Sequence, residues 1–333
     1  MVAELFHPGF RFTPAMSKAL ERDGHVLLPG VCLPATIGAL TEAVQRHQKR
    51  VEGFTITAPH AVQVMDAVGR ADASPEGSQR AMAAFQRLFH EQGADSGLVG
   101  PCPAEHDRTL GLLVGHPDLL ELMRSALSAD GGRDASKLFF DACTLLNRLP
   151  GTNWADGGMG VHSHMFADGY ARDTVSTVDG WEDQPGEAMI RAFFYISGFN
   201  SIDGGCLKVI PGSHTWRDPG LGSRLLQWRG AGKTSHEGVP LAEVELECPP
   251  GSVILMHTHA AHGVTPMRRG KAAGAPRWAF VACYRIGESW SPSRNLTSAF
   301  ASRDGPGLLT AEMKRQGRGL MPPEHAEDTH ARL

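Results

Sequence analysis

The feature that most constrains the fold is a series of short strand-like segments from residue 137 onward. These segments are apolar or alternate between apolar and polar residues, and turns rich in glycine and proline separate them. Seven such segments occur, at residues 138–149, 160–165, 188–196, 207–210, 243–248, 253–256 and 278–285. Many short strands with turn residues between them predict a sandwich or barrel rather than a βαβ sheet.

Helical patterns dominate the chain before residue 130. Within residues 33–49, Ile37, Leu40 and Val44 recur at helical spacing, and Pro34 suits the first turn of a helix. We predict helices at residues 13–22, 33–49, 78–92 and 119–127, and a short strand at residues 25–28.

Together these patterns predict a mainly β fold with added helices. We expect a helical N-terminal layer of about residues 12–130 packed on a jelly-roll core of about residues 137–290. Both parts belong to one domain, residues 1–300, which a polar C-terminal tail follows at residues 301–333.

Two long polar stretches interrupt the predicted core, at residues 171–187 and 216–240. Stretches of this length without secondary structure are usually lids or binding loops. In the second stretch, Trp216, Trp228 and Arg229 are candidates to line a substrate mouth, and surface packing is the favoured alternative.

Composition argues against several other classes of protein. No apolar run is long enough to span a bilayer, and the first residues lack a basic start followed by an apolar block. We therefore expect no membrane association, no signal peptide and a cytoplasmic location. The net charge is −4, with 32 basic and 36 acidic residues, which gives no electrostatic footprint for nucleic acid. The six cysteines form no CxxC pair, so we expect reduced, buried thiols.

Two histidine-rich segments suggest a metal site. Residues 160–170 read GVHSHMFADGY, and in an extended strand His162 and His164 lie on the same face. Asp168 follows them, and residues 257–262 contain three more histidines, at the end of another strand-like run. Imidazole and carboxylate ligands with open coordination positions are typical of oxygen-activating ferrous iron.

Three stretches of the sequence resemble the phytanoyl-CoA dioxygenase (PhyH) family of Fe(II)/2-oxoglutarate-dependent oxygenases. Residues 204–214, GGCLKVIPGSH, resemble the family's NGCL-x-V-x-PGSH run. Residues 21–31, ERDGHVLLPGV, resemble its DGYVVLPGVLS opening, and residues 250–278 resemble its GD-x-x-x-F-x-x-x-x-HGS…R close. The resemblance implies a double-stranded β-helix (cupin-like) core. It also implies iron held by an HxD pair and a distal histidine, and 2-oxoglutarate clamped by a downstream arginine.

Carried onto this sequence, the resemblance assigns individual residues. His262 fits the distal iron ligand because, unlike His257 and His259, a glycine follows it. Arg277 fits the 2-oxoglutarate clamp, and Arg268 is the fallback because the gap between His262 and Arg277 is longer than usual. The planar guanidinium suits a carboxylate because it donates two parallel hydrogen bonds.

Asn147, in the strand predicted at residues 138–149, is a candidate to hydrogen-bond the cosubstrate. The alternative is a strand amide with no role at the site. Ser213 and His214 lie in a Pro-Gly-Ser sequence typical of turns, so we expect them to shape one.

The sequence departs from the family at the HxD pair, which reads His162-Ser163-His164 here. In one possible ligand set, His162, His164 and His262 form a three-histidine face. In the other, His164 and Asp168 take the place of the HxD pair. A mixed arrangement with all four residues near the metal resembles cupin sites. Replacing a carboxylate by a neutral imidazole makes the site more positive and raises the reduction potential of the iron.

The resemblance implies oxygenation with O2 and 2-oxoglutarate as cosubstrates. We expect hydroxylation of an unactivated C–H bond in a small organic substrate, with release of succinate and CO2 and with no catalytic residue beyond the metal ligands. One alternative is a three-histidine oxygenase independent of 2-oxoglutarate, in which Arg277 contacts the substrate or nothing. Another is a non-catalytic ligand-binding relative. The sequence selects neither a particular substrate nor an oligomeric state.

Overall fold

The computed structural model describes residues 4–51, 107–128, 138–148, 159–162, 188–202, 204–216, 221–258, 260–265, 277–286, 301–302 and 305–306. The helices in these ranges are α1 (Pro14–Asp23), α2 (Pro34–Val51), α3 (Arg108–Val114), α4 (Pro117–Ser128) and α5 (Leu221–Gly230). The strands are β1 (His25–Leu28), β2 (Leu138–Arg148), β3 (Met159–His162), β4 (Ala188–Tyr195), β5 (Leu207–Val209), β6 (Ser235–His236), β7 (Val239–Pro240), β8 (Val244–Leu246), β9 (Ser252–His257), β10 (His262–Val264), β11 (Arg277–Ile286), β12 (Ala301–Ser302) and β13 (Gly305–Pro306).

The junction between α1 and β1 is set by local sequence. The Thr13 side chain accepts the Met16 backbone N–H at 3.3 Å, and Pro14 occupies the first helical turn, where its missing N–H costs little. Gly24 ends the helix in the left-handed conformation, with φ 74°, and β1 begins at the next residue.

Two antiparallel sheets form the β part of the fold. The major sheet has the strand order β1-β9-β4-β11-β2, and the minor sheet has the order β3-β10-β5-β8. Two hairpins, β6–β7 and β12–β13, form separate two-stranded sheets.

The central strands of the major sheet are buried on both faces. In β4, Phe194 joins an outer core that also contains helix residues such as Leu40 and Leu120. Its neighbour Phe193 joins an inner core that also contains Leu207, Val209 and Leu246 of the minor sheet. Because successive strand residues face opposite sides, this alternation packs helices on one face of the major sheet and the minor sheet on the other.

Most predicted elements are confirmed within one to three residues at each end. Strands occur in all seven predicted segments, although β3 covers only residues 159–162 of the second and the rest lies outside the described residues. The predicted helices at residues 13–22, 33–49 and 119–127 are present as α1, α2 and α4, and the strand at residues 25–28 is β1. The helix predicted at residues 78–92 and the polar stretch at residues 171–187 lie outside the described residues.

The prediction of an open loop at residues 216–240 is wrong. The segment contains α5 and the β6–β7 hairpin, and it packs through a third apolar cluster around Trp216 and Leu225. The Trp216 side chain is 1% exposed and meets the Trp228 ring edge to face, with 6.0 Å between ring centroids. His236 stacks on Trp228 at 3.9 Å. Both tryptophans therefore serve packing, which was the favoured alternative.

The cysteines and the described helices test two further expectations from composition. Five cysteines fall within the described residues, and all five are buried and are not joined to one another in disulfides. Among the described helices, none combines the length and the apolar character that crossing a bilayer requires.

Candidate metal centre

Two predicted metal ligands, His162 and His262, lie opposite each other on neighbouring antiparallel strands. In the register of β3 with β10, His262 pairs with His162, and on the other side of β10 it pairs with Val209 of β5. Directly opposed residues of an antiparallel pair share a face of the sheet, with Cβ atoms about 5 Å apart. Since Val209 belongs to the inner core, positions 162 and 262 both lie on the inner face of the minor sheet.

The environment of His262 fixes the state of its ring. The side chain is 3% exposed, and Nδ1 lies 2.8 Å from the carbonyl oxygen of Ala260. A carbonyl oxygen only accepts hydrogen bonds, so Nδ1 carries a proton, and in the neutral ring Nε2 then carries the lone pair. This is the tautomer in which an imidazole binds a metal through Nε2, with its other nitrogen oriented by a carbonyl. The donor set at His262 therefore fits a metal ion.

Arg277 places a positive charge at the edge of the inner core. It is the first residue of β11, and Ala279, two residues further along the strand, belongs to the inner core. The Arg277 side chain is 8% exposed, and its Nη1 donates to the Gly204 carbonyl at 3.1 Å. Its guanidinium carbon lies 5.4 Å from the centroid of the Phe199 ring. Arg277 is therefore a buried, oriented guanidinium of the kind that binds carboxylates.

Two nearby thiols are poor competitors for a metal. Burial raises the pKa of Cys206 to about 12 and that of Cys248 to about 11. Metals bind the thiolate form of cysteine, so these groups stay protonated and unreactive at neutral pH. Imidazole nitrogens thus remain the donors suited to this part of the inner core.

The PGSH sequence forms the turn that was predicted for it. Gly212 has φ 83°, and residues Ser213–Thr215 form a single 3₁₀ turn after β5. His214 stacks on His257, the last residue of β9, with ring centroids 5.0 Å apart. His257 therefore lies at the strand end, as the sequence predicted.

The remaining candidates are only partly described. Asn147 pairs with Trp278 in the register of β2 with β11, and Trp278 belongs to the outer core, so position 147 lies on the outer face of the major sheet and not on the inner-core side. His164, Asp168, Arg268 and His259 lie outside the described residues. Among the side chains that the structure does describe, no three His, Cys, Asp or Glu residues converge on a complete metal site.

Sequence reasoning missed the residues that hold Arg277. The Gly204 carbonyl and the Phe199 ring come from the connection between β4 and β5, outside the strands that carry the candidate ligands. The Gly204-Gly205 pair was a signal, because both residues have positive φ (74° and 75°) and mark a sharp change of backbone direction.

Three solved structures resemble the chain at low sequence identity. HygX from Streptomyces hygroscopicus, with nickel and 2-oxoglutarate bound, matches with TM-score 0.51 and 16% identity over 89% of this chain and 94% of that one. AviO1 from Streptomyces viridochromogenes Tue57 matches with TM-score 0.47 and 16% identity over 84% and 96% of the two chains. The α-ketoglutarate-dependent epimerase SnoN of nogalamycin biosynthesis matches with TM-score 0.47 and 16% identity over 81% and 80%.

At this identity, the match to HygX shows a shared fold. No curated protein matches the sequence. The family model of phytanoyl-CoA dioxygenase (PhyH) matches residues 20–271, a range that includes His162 and His262 and ends before Arg277. Since this match spans well over half of the 333 residues, the chain belongs to the phytanoyl-CoA dioxygenase family.

Proposed function

We propose that this protein is an Fe(II)/2-oxoglutarate-dependent oxygenase whose iron is held by His162 and His262 on the inner face of the minor sheet. The observation that carries the proposal is the register pairing of these two histidines. The Nδ1 contact of His262 with the Ala260 carbonyl supports it, because this contact leaves the lone pair on Nε2.

The third ligand comes from His164 or Asp168. Pairing of His162 with His262 favours ligand sets that contain His162, namely the three-histidine face or the mixed arrangement with Asp168. His164 follows His162 by two residues, so it shares the same strand face if β3 continues in extended conformation. Asp168 instead keeps the negative charge that a ferrous site of the family contains.

In this proposal, Arg277 clamps the remote carboxylate of 2-oxoglutarate. The side chain is held by the Gly204 carbonyl and the Phe199 ring, so little conformational freedom is lost when a carboxylate binds.

When bound, iron with 2-oxoglutarate and O2 would supply an oxidant for an unactivated C–H bond, with succinate and CO2 as the coproducts of 2-oxoglutarate. The chain contributes binding, orientation and exclusion of water. Apolar residues of the inner core, such as Phe193, Ile254 and Met256, keep water from the region that Arg277 borders. We infer hydroxylation of a small organic substrate, a cytoplasmic location, and a double-stranded β-helix formed by the two sheets. The domain limits given by the sequence remain predictions.

An anaerobic titration tests the proposal. Metal-stripped protein is titrated with Fe(II) and then with 2-oxoglutarate, and the visible charge-transfer band of a chelated keto acid is recorded. We expect a band in the parent protein and none in His262→Ala, because loss of a buried imidazole removes a ligand. His164→Ala and Asp168→Ala are titrated in the same way. The variant that loses the band identifies the third ligand.

The proposed role of Arg277 is tested by comparing the 2-oxoglutarate affinities of two arginine variants. Arg277→Gln is expected to weaken 2-oxoglutarate binding at least about 30-fold, since truncating a buried charge partner costs about 2 kcal/mol or more. Fe(II) binding should stay unchanged. Arg46→Gln is a control for loss of an arginine elsewhere in the fold, because the Arg46 side chain is half exposed and pairs with Asp107, with Nε 2.9 Å from Oδ2. Similar 2-oxoglutarate affinities of the two variants would exclude the clamp.

The titration also separates the alternatives. Iron bound without a band contradicts the use of 2-oxoglutarate and favours an oxygenase independent of that cosubstrate. A parent protein that binds no iron contradicts the enzyme proposal altogether and favours a ligand-binding relative.

A further inference from the structure

Ser213, in the turn after β5, is bonded to the segment that carries His262. Its side chain is fully buried, at 0% exposure. The hydroxyl donates to the Ile210 carbonyl at 2.6 Å and accepts the Ala261 backbone N–H at 2.8 Å. A carbonyl only accepts and an amide N–H only donates, so both roles of this hydroxyl are fixed.

The Ala261 N–H and the Ala260 carbonyl belong to one peptide group. That carbonyl accepts the hydrogen bond from Nδ1 of His262 at 2.8 Å. A trans peptide group is planar, and its N–H and C=O point in opposite directions, so orienting one orients the other. A continuous path therefore runs from the Ser213 hydroxyl through this peptide group to the imidazole of His262.

We propose that Ser213 is a positioning residue for His262 and acts through the Ala260–Ala261 peptide group. By holding the N–H, the hydroxyl keeps the carbonyl aimed at Nδ1, and this keeps the lone pair of the ring on Nε2. A hydrogen bond at the N–H also polarises the carbonyl and strengthens its bond to the ring. The part of this inference that concerns metal binding rests on the proposed function.

Removal of the hydroxyl has a localised effect. In Ser213→Ala the Ile210 carbonyl still accepts the backbone N–H of residue 213, which lies 3.2 Å away. The Ala261 N–H loses its acceptor inside the protein, and the peptide group turns to find another. The carbonyl of the same group then leaves its position beside Nδ1 of His262.

Ser252 offers a matched control. It is also 0% exposed, and its hydroxyl donates to the Pro249 carbonyl at 2.7 Å and accepts the Gly30 N–H at 3.0 Å. Its backbone N–H also contacts the carbonyl three residues earlier, at 3.2 Å. Ser252→Ala therefore removes the same kind of hydrogen bond at a similar cost in stability. The bond that it removes joins β9 to Gly30 and does not involve the His262 segment.

The first test uses metal-free protein. Long-range ¹⁵N–¹H NMR at pH 8 reports which ring nitrogen of His262 carries the proton, and His262→Gln identifies its signals. We expect the Nδ1–H tautomer in the parent and in Ser252→Ala, and a mixture with the Nε2–H tautomer in Ser213→Ala. An unchanged tautomer in Ser213→Ala would overturn the proposal. If Ser213→Ala does not fold, Ser213→Cys, a weaker donor and acceptor, replaces it with the same expected direction.

The second test is anaerobic Fe(II) affinity. We expect Ser213→Ala to bind Fe(II) about tenfold more weakly than the parent, at the low end of the range for residues that orient a ligand. Ser252→Ala should bind like the parent, and equal affinities of the two variants would contradict the proposal. If the parent itself binds no Fe(II), the proposed function fails, whereas the tautomer comparison still decides the role of Ser213.

Discussion

Two glycines with similar backbone angles differ in what surrounds them. Gly198, after β4, has φ 72°, and a Cβ there would lie 2.7 Å from the Pro250 nitrogen and 2.9 Å from the Cys248 carbonyl oxygen. Gly238, in the β6–β7 hairpin, has φ 79°, and a Cβ there would meet no atom within 4 Å. Both positions require the left-handed region, but only Gly198 is enclosed by backbone.

Alanine substitutions should therefore separate conformational strain from steric overlap. We expect Gly238→Ala to lower the free energy of unfolding by about 1 kcal/mol through strain alone. Gly198→Ala should lower it by about 3 kcal/mol, because backbone atoms cannot rotate away as a side chain can. Urea denaturation of both variants measures the difference. Equal losses would show that the connection at Gly198 shifts without cost.

At single residues, the sequence was most informative where a motif carried the chemistry. His262 and Arg277 were assigned by their place in the motif, and both are buried beside the inner core. The role of Ser213 was not predictable, because a Pro-Gly-Ser sequence indicates a turn and does not indicate which distant amide the hydroxyl meets. That partner, Ala261, is determined by tertiary packing.

Among the elements, the joint between α1 and β1 contains two partly buried histidines, His25 and His214, which should make it sensitive to pH. His214 Nε2 contacts the Glu21 carbonyl at 2.9 Å, and the His25 ring contacts the Asp23 carbonyl at 3.2 Å. Burial lowers the pKa of both histidines. A hydrogen bond from Arg22 lowers the pKa of the Asp23 carboxyl, so Asp23 stays charged throughout the range where histidine titrates.

The sign of the effect follows from these shifts. Both rings bind protons more weakly in the folded state than in the unfolded state, so their contribution is fully present above pH about 6.5 and declines as the pH falls below it. We expect the urea concentration at the unfolding midpoint to decrease when the pH is lowered from 7.5 to 5.5, and to decrease less in His214→Gln. The variant comparison is needed because the chain contains 16 histidines. The same fall in parent and variant would assign the effect to other groups.

Helix prediction succeeded where apolar residues recur clearly at helical spacing, and it failed where glycines interrupt that spacing. The apolar positions of α2 identified that helix from the sequence. Helix α5 was missed because Gly220, Gly222 and Gly230 surround its few apolar residues and suggested a loop. The pairing of β3 with β10 was also out of reach, since register between distant strands depends on the whole sheet.

For the whole molecule, the proposed ligands span both sheets. His162 and His262 belong to the minor sheet and Arg277 to the major sheet, so iron and 2-oxoglutarate bound as proposed would together connect the two layers. Each ligand at 100 times its dissociation constant should stabilise the folded state by about 2.7 kcal/mol if the unfolded chain does not bind it.

Anaerobic thermal unfolding checks this expectation. The two ligands together contribute about 5.4 kcal/mol. At about 2–4 °C per kcal/mol for large domains, we expect Fe(II) with 2-oxoglutarate to raise the melting temperature by roughly 11–22 °C. His262→Ala should lose the rise that depends on Fe(II). An equal rise in this variant would place the metal elsewhere in the protein.

The pairing of β1 with β9 determines when the chain can fold during synthesis. His25 pairs with Met256, and β9 also supplies the neighbour of β4, so the centre of the major sheet is incomplete until β9 has left the ribosome. Until that moment, the apolar faces of α1 and α2 have no sheet to cover them. We expect the nascent chain to depend on chaperones and to fold late, in a single step, rather than progressively from its N-terminus.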